Sequence, residues 1–219
     1  MKFPAILKFL MILILPFLTF LIVLNFSAFD NAFYQKKFLE YGVDKEVPNA
    51  QSLHKEVIDF IKGKKEELSP EFNEREKKHL FDVRRIVRVS KIFLYTSIIL
   101  FISLMMASIF SLKINNQMTS FIGEVFIFGG ALTVILAVFS FLFISLDFSA
   151  TFESFHNLFF EKGTYAFEPT KEVIIMLYPE ELFIDLGIRI SKWIILISAV
   201  MILVGGFLLF KSKKVSANS

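Results

Sequence analysis

The chain has no cysteine among its 219 residues. That excludes disulfides, thiol nucleophiles and lipid attachment at cysteine. Histidine is scarce, with three in the chain, and tryptophan occurs once. No Gly-rich phosphate loop, His-Glu-x-x-His zinc helix or Gly-x-Ser-x-Gly elbow is present. The net charge of +3 is small and scattered, which gives no basis for a nucleic-acid partner. Glycine and proline are also sparse; none occurs between Pro70 and Gly123.

Apolar residues make up 55% of the chain and mean hydropathy is +0.61. The apolar residues fall in four runs, near 4–24, 92–112, 125–146 and 193–210. Each is close to the ~20 residues a helix needs to cross a bilayer. The expected fold is an all-α membrane protein: four transmembrane helices with a mainly helical extracytoplasmic cap. The expected order is helix 1 at 1–25, cap 26–91, helix 2 at 92–113 and a cytoplasmic loop at 114–120. Helix 3 at 121–146, an aromatic-rich cap segment 147–189, helix 4 at 190–210 and a tail 211–219 follow. The first run follows Lys2 and includes Lys8, lacks a small-residue cleavage site, and reads as a retained signal anchor.

The region after the first run opens with Phe26, Phe29, Phe33, Tyr34, Phe38 and Tyr41. It is too long for a simple connection between packed helices, so it has structure of its own. Residues 52–61 read as a helix with Leu53, Val57 and Phe60 on one face and Gly63 as its stop. His54 lies off that face and reads as a solvated surface residue. A second helix is signalled by Ser69 as N-cap, Pro70 at the first position and Glu71 near the dipole. It runs unbroken into the second span. Phe72, His79, Val83 and Ile86 share one side of it. Glu76 and Asp82, each three residues from His79, are alternative carboxylates to orient its ring. Asp82 also has Lys78 and Arg85 within reach.

A short connector at 113–120 leads to the third span, where Gly129 and Gly130 permit close helix packing and Glu124 suits the headgroup zone. Beyond that span Phe148, Phe152, Phe155 and Phe159 repeat at helical spacing, with His156 beside the stripe and Gly163 as its end. Residues 173–177 form a short apolar piece between Pro169 and Pro179. The polar tail starting at Lys211 reads as disordered. Lys2, Lys8, Lys113, Lys211, Lys213 and Lys214 mark both termini and the short loop as cytoplasmic, although Arg84, Arg85, Arg88 and Lys91 flank the opposite side. His79 lies 13 residues before the second span and His156 10 residues after the third. Those spans run in opposite directions, so both rings are expected within about 15–20 Å of one membrane face. Glu76, Asp82 or Glu153 could join the two histidines in holding a metal, but the spacing does not require it.

The ordered set Glu76-Lys-Lys-His79-Leu-Phe-Asp82-Val83, Phe155-His156 before Phe159-Phe160, and Leu177-Tyr178-Pro179-Glu180-Glu181-Leu-Phe183 resembles the bacterial lipoprotein intramolecular transacylase family. The resemblance covers essentially the whole chain. One departure is Gly163-Thr-Tyr-Ala-Phe-Glu-Pro169, where many relatives have an Asn-Asp-x-Trp-Leu-Leu-Asp-Pro pattern; Tyr165 keeps only the aromatic position. The resemblance implies a cell-membrane acyltransferase with no cofactor, whose catalytic cap faces outside. Its partners would be membrane lipid and the N-terminus of a diacylated lipoprotein, and it would act as a monomer. His79 and His156 would be catalytic, with Glu76, Asp82, Phe155, Asn157, Phe159, Tyr178 and Glu180 in support.

The implied reaction moves the sn-2 acyl chain from the S-diacylglyceryl cysteine to that cysteine's own α-amine, giving the lyso form. Attack closes an eight-atom ring within one molecule, so no enzyme nucleophile is required. One histidine would accept the amine proton, and the other would stabilise the oxyanion or protonate the leaving glycerol oxygen; which does which is left open. Two other classes remain on the residues alone: a non-enzymatic membrane sensor or assembly factor, and a metal-dependent membrane hydrolase.

Overall fold

The computed structural model describes residues 3–112, 116–161, 165–168 and 171–217. The described elements are helical: α1 (Phe3–Ala28), α2 (Asn31–Tyr41), α3 (Val43–Glu46), α4 (Ala50–Ile61), α5 (Glu74–Leu112), α6 (Asn116–Leu146), α7 (Phe148–Phe159), α8 (Val173–Leu177) and α9 (Glu180–Ala217). Four of them, α1, α5, α6 and α9, are long and apolar enough to span a membrane. The 39 residues of α5 extend to about 58 Å at 1.5 Å each, nearly twice a ~30 Å hydrocarbon core. Its charged first half therefore projects well past any span.

The chain divides into two compact units. The first holds 1–24, 93–142 and 189–219. Its interior is built on Leu7, Met11, Leu15, Met118, Phe121 and Val125. A Cβ on Gly205 would lie 2.7 Å from the carbonyl oxygen of Gly123, so α6 and α9 meet backbone to backbone. A Cβ on Gly129 or Gly130 would run into Leu15 or Ile202, the close packing expected of that pair. Lys8 and Glu124 form an ion pair. The hydroxyls of Thr19, Ser108, Thr133 and Ser198 donate to carbonyls one turn back on their own helices. That arrangement satisfies them without water.

The second unit holds 25–92 and 143–188. Phe38, Val57, Phe72, Leu177 and Leu182 centre its core. Asp185 on α9 accepts from Tyr41 and pairs with Lys37, both on α2. Gly63, at φ +76°, ends α4 as the sequence suggests.

Several expectations change. Ser69 does not cap α5: its N–H and hydroxyl both donate to the Glu56 carboxylate. Asn73 caps instead, its Oδ1 accepting from the Arg75 and Glu76 amides, while Glu76 accepts back from the Asn73 N–H. This reciprocal pattern is a capping box. His54 is not solvated but buried, 3% exposed. The third long helix starts at Asn116, earlier than the connector suggests. The tail is helical to Ala217 rather than disordered, and Ser212 donates to the Asn116 carbonyl. Helix α7 stops at Phe159, with Phe160 extended after it. Lys2, Lys113, Gly163 and Pro169 lie outside the described residues.

Candidate active site

The site grows from two helices of the second unit. The capping box starts α5 at Glu74 and sets His79 one turn and a half in, ahead of the apolar stretch of that helix. Asp147 starts α7, its carboxylate accepting from the Ala150 N–H, and His156 lies in the last turn. The two imidazoles are brought face to face, with centroids 6.0 Å apart and planes 17° from parallel.

Aromatic rings wall the pair. Phe160 stacks on both, at 4.7 Å from His79 and 5.1 Å from His156. Phe167 presents its edge to His79, and Phe152 lies 4.0 Å from His156. Tyr165 covers His156 at 4.9 Å and donates its hydroxyl to Asn157 Oδ1 at 2.7 Å. Each histidine is 7% exposed.

The polar contacts of the two rings differ. His156 Nδ1 lies 2.7 Å from the Phe152 carbonyl oxygen. A carbonyl only accepts, so Nδ1 carries hydrogen and the neutral ring offers its lone pair at Nε2. His79 Nδ1 is buried with no hydrogen-bond partner among the described residues. Burial, and secondarily the neighbouring His156, lowers His79 to about 4. Burial also pushes His156 below its usual value, with the Phe152 carbonyl working the other way. Both rings are therefore neutral at pH 7.

Neither proposed carboxylate occupies His79 Nδ1. Glu76 is 1% exposed and its oxygens accept from the Asn73 and Ile174 amides, tying the start of α5 to the start of α8. Asp82 sits 3.8 Å from Arg85. Phe155 contacts His156 edge-on at 5.5 Å, and Phe159 packs on Phe155. Tyr178 instead contacts His54, and Glu180 accepts from Ser149. The sequence reading did not single out Phe167. Its contact with His79 bridges 88 positions, and no periodicity points across that gap. Phe152, one turn before His156, was legible from helical spacing, whereas Phe160 reaches both rings from extended backbone just past the end of α7. Among the described residues no three metal-donor side chains converge.

Four long apolar helices and a histidine pair in an aromatic enclosure define an all-α, multi-pass membrane protein with a site suited to proton transfer. A protein-family model, lipoprotein intramolecular transacylase Lit, matches residues 9–183. The chain belongs to that family, and so is an acyltransferase that acts on lipoproteins. The solved structure of the membrane integral lipoprotein intramolecular transacylase Lit from Bacillus cereus matches with a TM-score of 0.81 at 17% identity. The match covers 96% of this chain and 98% of that one. Structures of two variants of the Bacillus cereus protein, with one histidine replaced by arginine or by alanine, each match with a TM-score of 0.79 at 17% identity. They cover 96% of this chain and 94% and 96% of theirs, respectively. At this identity the likeness establishes the shared fold. No curated protein sequence matches the chain.

Proposed function

We propose that the protein moves the sn-2 acyl chain of an S-diacylglyceryl cysteine onto the α-amine of the same residue, using His156 as base and His79 as electrophile. The observation that carries this is the facing pair of buried, neutral imidazoles, with His156 Nδ1 pinned to the Phe152 carbonyl. His156 Nε2 takes a proton from the attacking amine. The N–C bond forms at the ester carbonyl, and the ring N–H of neutral His79 donates to the developing oxyanion. The C–O bond then breaks, and His156 returns the proton to the glycerol oxygen. The products are an N-acyl, mono-O-acyl cysteine and no free fatty acid.

An α-amine titrates at about 7.7–8.0, so its neutral, nucleophilic fraction is the minority at pH 7. Both histidines stay neutral well below that, and the acid limb of the rate profile belongs to the amine. Holding amine and ester together inside stacked rings contributes several kcal/mol as a rough order, and acid–base help about 10²–10⁴-fold. Both histidines come from one chain and the transfer is intramolecular, so a monomer suffices. The lysines near the termini support cytoplasmic termini, which puts the histidine pair on the outer side.

The test is mass spectrometry of lipoproteins from cells that express the protein or its His79→Gln and His156→Gln variants at matched levels. The intact protein is expected to add an N-acyl group with loss of one O-acyl group, and each variant to lower conversion at least about 10²-fold. Conversion surviving both substitutions would sink the two-histidine mechanism.

A further inference from the structure

The basic residues that flank the second span on the side opposite the termini have no part in the histidine site. Two of their neighbours converge on Phe29, the residue just after α1. Lys62, the C-cap of α4, holds its ammonium 4.6 Å from the Phe29 ring centroid, and Lys91 of α5 holds its own at 5.5 Å. Two like charges from separate helices therefore share one ring. Lys64 is near enough to act on the charge of Lys62, and Arg88 is one turn from Lys91 on an exposed face of α5.

The surrounding cations have carboxylate partners: Lys55 with Asp59, Lys65 with Glu56, Arg84 with Glu66 and Arg85 with Asp82. Lys62 and Lys91 have none among the described residues. Asp30, beside Phe29, is committed to capping α2 through the Ala32 N–H. Both lysines are half-buried, yet neither nitrogen is sealed from solvent. Burial, and then the charges of Lys64 and Lys91, push Lys62 below its usual value, with Asp59 working the other way. A ring face attracts a cation but does nothing to relieve repulsion between two. An anion reaching both would relieve it.

The place says which anion. Two apolar stretches end at Phe29. One is α1, where Phe26 is 66% exposed; the other starts directly after Lys91, with Ile92 and Phe93 at 56% and 63%. An aromatic ring and ammonium groups at the end of a span sit at headgroup level, where lipid phosphates lie. Exposed apolar surface continues from the charges along the same helices, as acyl chains require.

We propose that Lys62 and Lys91, seated on Phe29 with Lys64 and Arg88 beside them, bind the phosphate of an anionic phospholipid in the leaflet next to the histidine-bearing unit. The lipid's chains lie along Phe26, Ile92 and Phe93. A phosphocholine headgroup brings its own cation to the cluster and fits less well. Free phosphate matches the charge but leaves the apolar surface uncovered. The site depends neither on the transacylase chemistry nor on which way the chain crosses the membrane.

The test is native mass spectrometry of the full chain in detergent, titrated with phosphatidylglycerol or with phosphatidylcholine of identical acyl chains. The protein is expected to bind phosphatidylglycerol more tightly, and the double variant Lys62→Gln, Lys91→Gln to weaken that binding about 30-fold while leaving phosphatidylcholine unchanged; each single variant is expected to weaken it about fivefold. Neither lysine has a bond to lose, so the lipid-free variants are expected to unfold at the same temperature as the unsubstituted protein or slightly above. The control is Lys36→Gln, Lys45→Gln, which removes two exposed lysines of the same unit and is expected to leave binding unchanged. Equal affinity for the two lipids in the unsubstituted protein, or equal losses in the two double variants, overturns the site. Displacement of phosphatidylglycerol by an equal concentration of inorganic phosphate would assign the cluster to a free anion and overturn the lipid.

Discussion

The two units solve opposite problems with the same secondary structure. The membrane-type unit turns its large apolar side chains outward; Phe110 is 80% exposed. It sets glycines where its helices approach closely, and the hydroxyls of Thr133 and Ser198 bond within their own turns. The unit that carries the histidines packs aromatic rings into its core and around the histidines, and it encloses polar groups among them. Glu76 caps, Glu56 clamps the 65–69 turn, and three histidines sit inside ring clusters. Lipid as a solvent offers little hydrophobic drive between helices, so close backbone approach carries the packing. Water does provide that drive, and enclosing a polar group in such a core costs free energy wherever its bonds are not met. The proposed reaction needs a dry place where imidazoles stay neutral, and the second arrangement supplies one.

The comparison breaks most severely at Glu76. Glu76→Ala removes the acceptor for two amide N–H groups, at Asn73 and Ile174, inside a core. Hydrogen bonds to a charged acceptor contribute about 1.5–3 kcal/mol each, so a loss of about 3–5 kcal/mol is expected in the histidine-bearing unit. Limited proteolysis checks this by the rate of cutting within 25–92 relative to the apolar segments. Glu76→Gln, which keeps one acceptor oxygen, is expected to lose less. Equal protection in all three proteins would mean that the buried carboxylate does not hold the unit together.

Acid is the next lever. His79 and His54 both titrate at about 4 in the fold, chiefly because burial penalises the charged ring. An unfolded histidine titrates near 6.5. Between those values the unfolded chain binds more protons, so the stability tied to each ring is fully present above about pH 6.5 and drains as pH falls toward 4. Each contributes about 3 kcal/mol to that slope as an order of magnitude. Thermal unfolding from pH 7 to 4.5 is expected to show the histidine-bearing unit weakening, and His54→Phe is expected to flatten the slope. A membrane-type unit that weakened in parallel would contradict the contrast drawn here.

The sequence displayed the spans because apolar runs close to the ~20 residues that cross a bilayer allow few alternatives. It also displayed the histidine pair, because helical spacing and antiparallel spans place residues 79 and 156 on one side. What it hid is specific. Two start signals compete before α5: Ser69-Pro70 fits local rules, but Glu56, thirteen residues earlier, captures Ser69 and leaves the cap to Asn73. His54 lies off the apolar stripe of α4, yet Tyr34 and Tyr178 enclose it. The Tyr178 partner is 124 positions away, and local pattern carries no trace of it. Glu76 has the right spacing to orient His79 but is committed to main-chain amides, a choice that only α8 explains.

The smallest effect separates neighbouring glycines in the membrane-type unit. A Cβ at Gly205 meets the Gly123 carbonyl at 2.7 Å and the Ile127 backbone nitrogen at 3.1 Å, whereas a Cβ at Gly206 meets nothing within 4 Å. Backbone cannot rotate aside as a side chain can, so Gly205→Ala forces α6 and α9 apart and is expected to cost about 1–3 kcal/mol. Gly206→Ala adds helix propensity without a clash and is expected to gain about 0.5–1 kcal/mol. Thermal unfolding in one detergent, with the apolar segments followed separately, checks the opposite signs. A shared sign would mean that helix propensity, rather than close approach, governs this pair, and the packing difference between the two units would lose its clearest support.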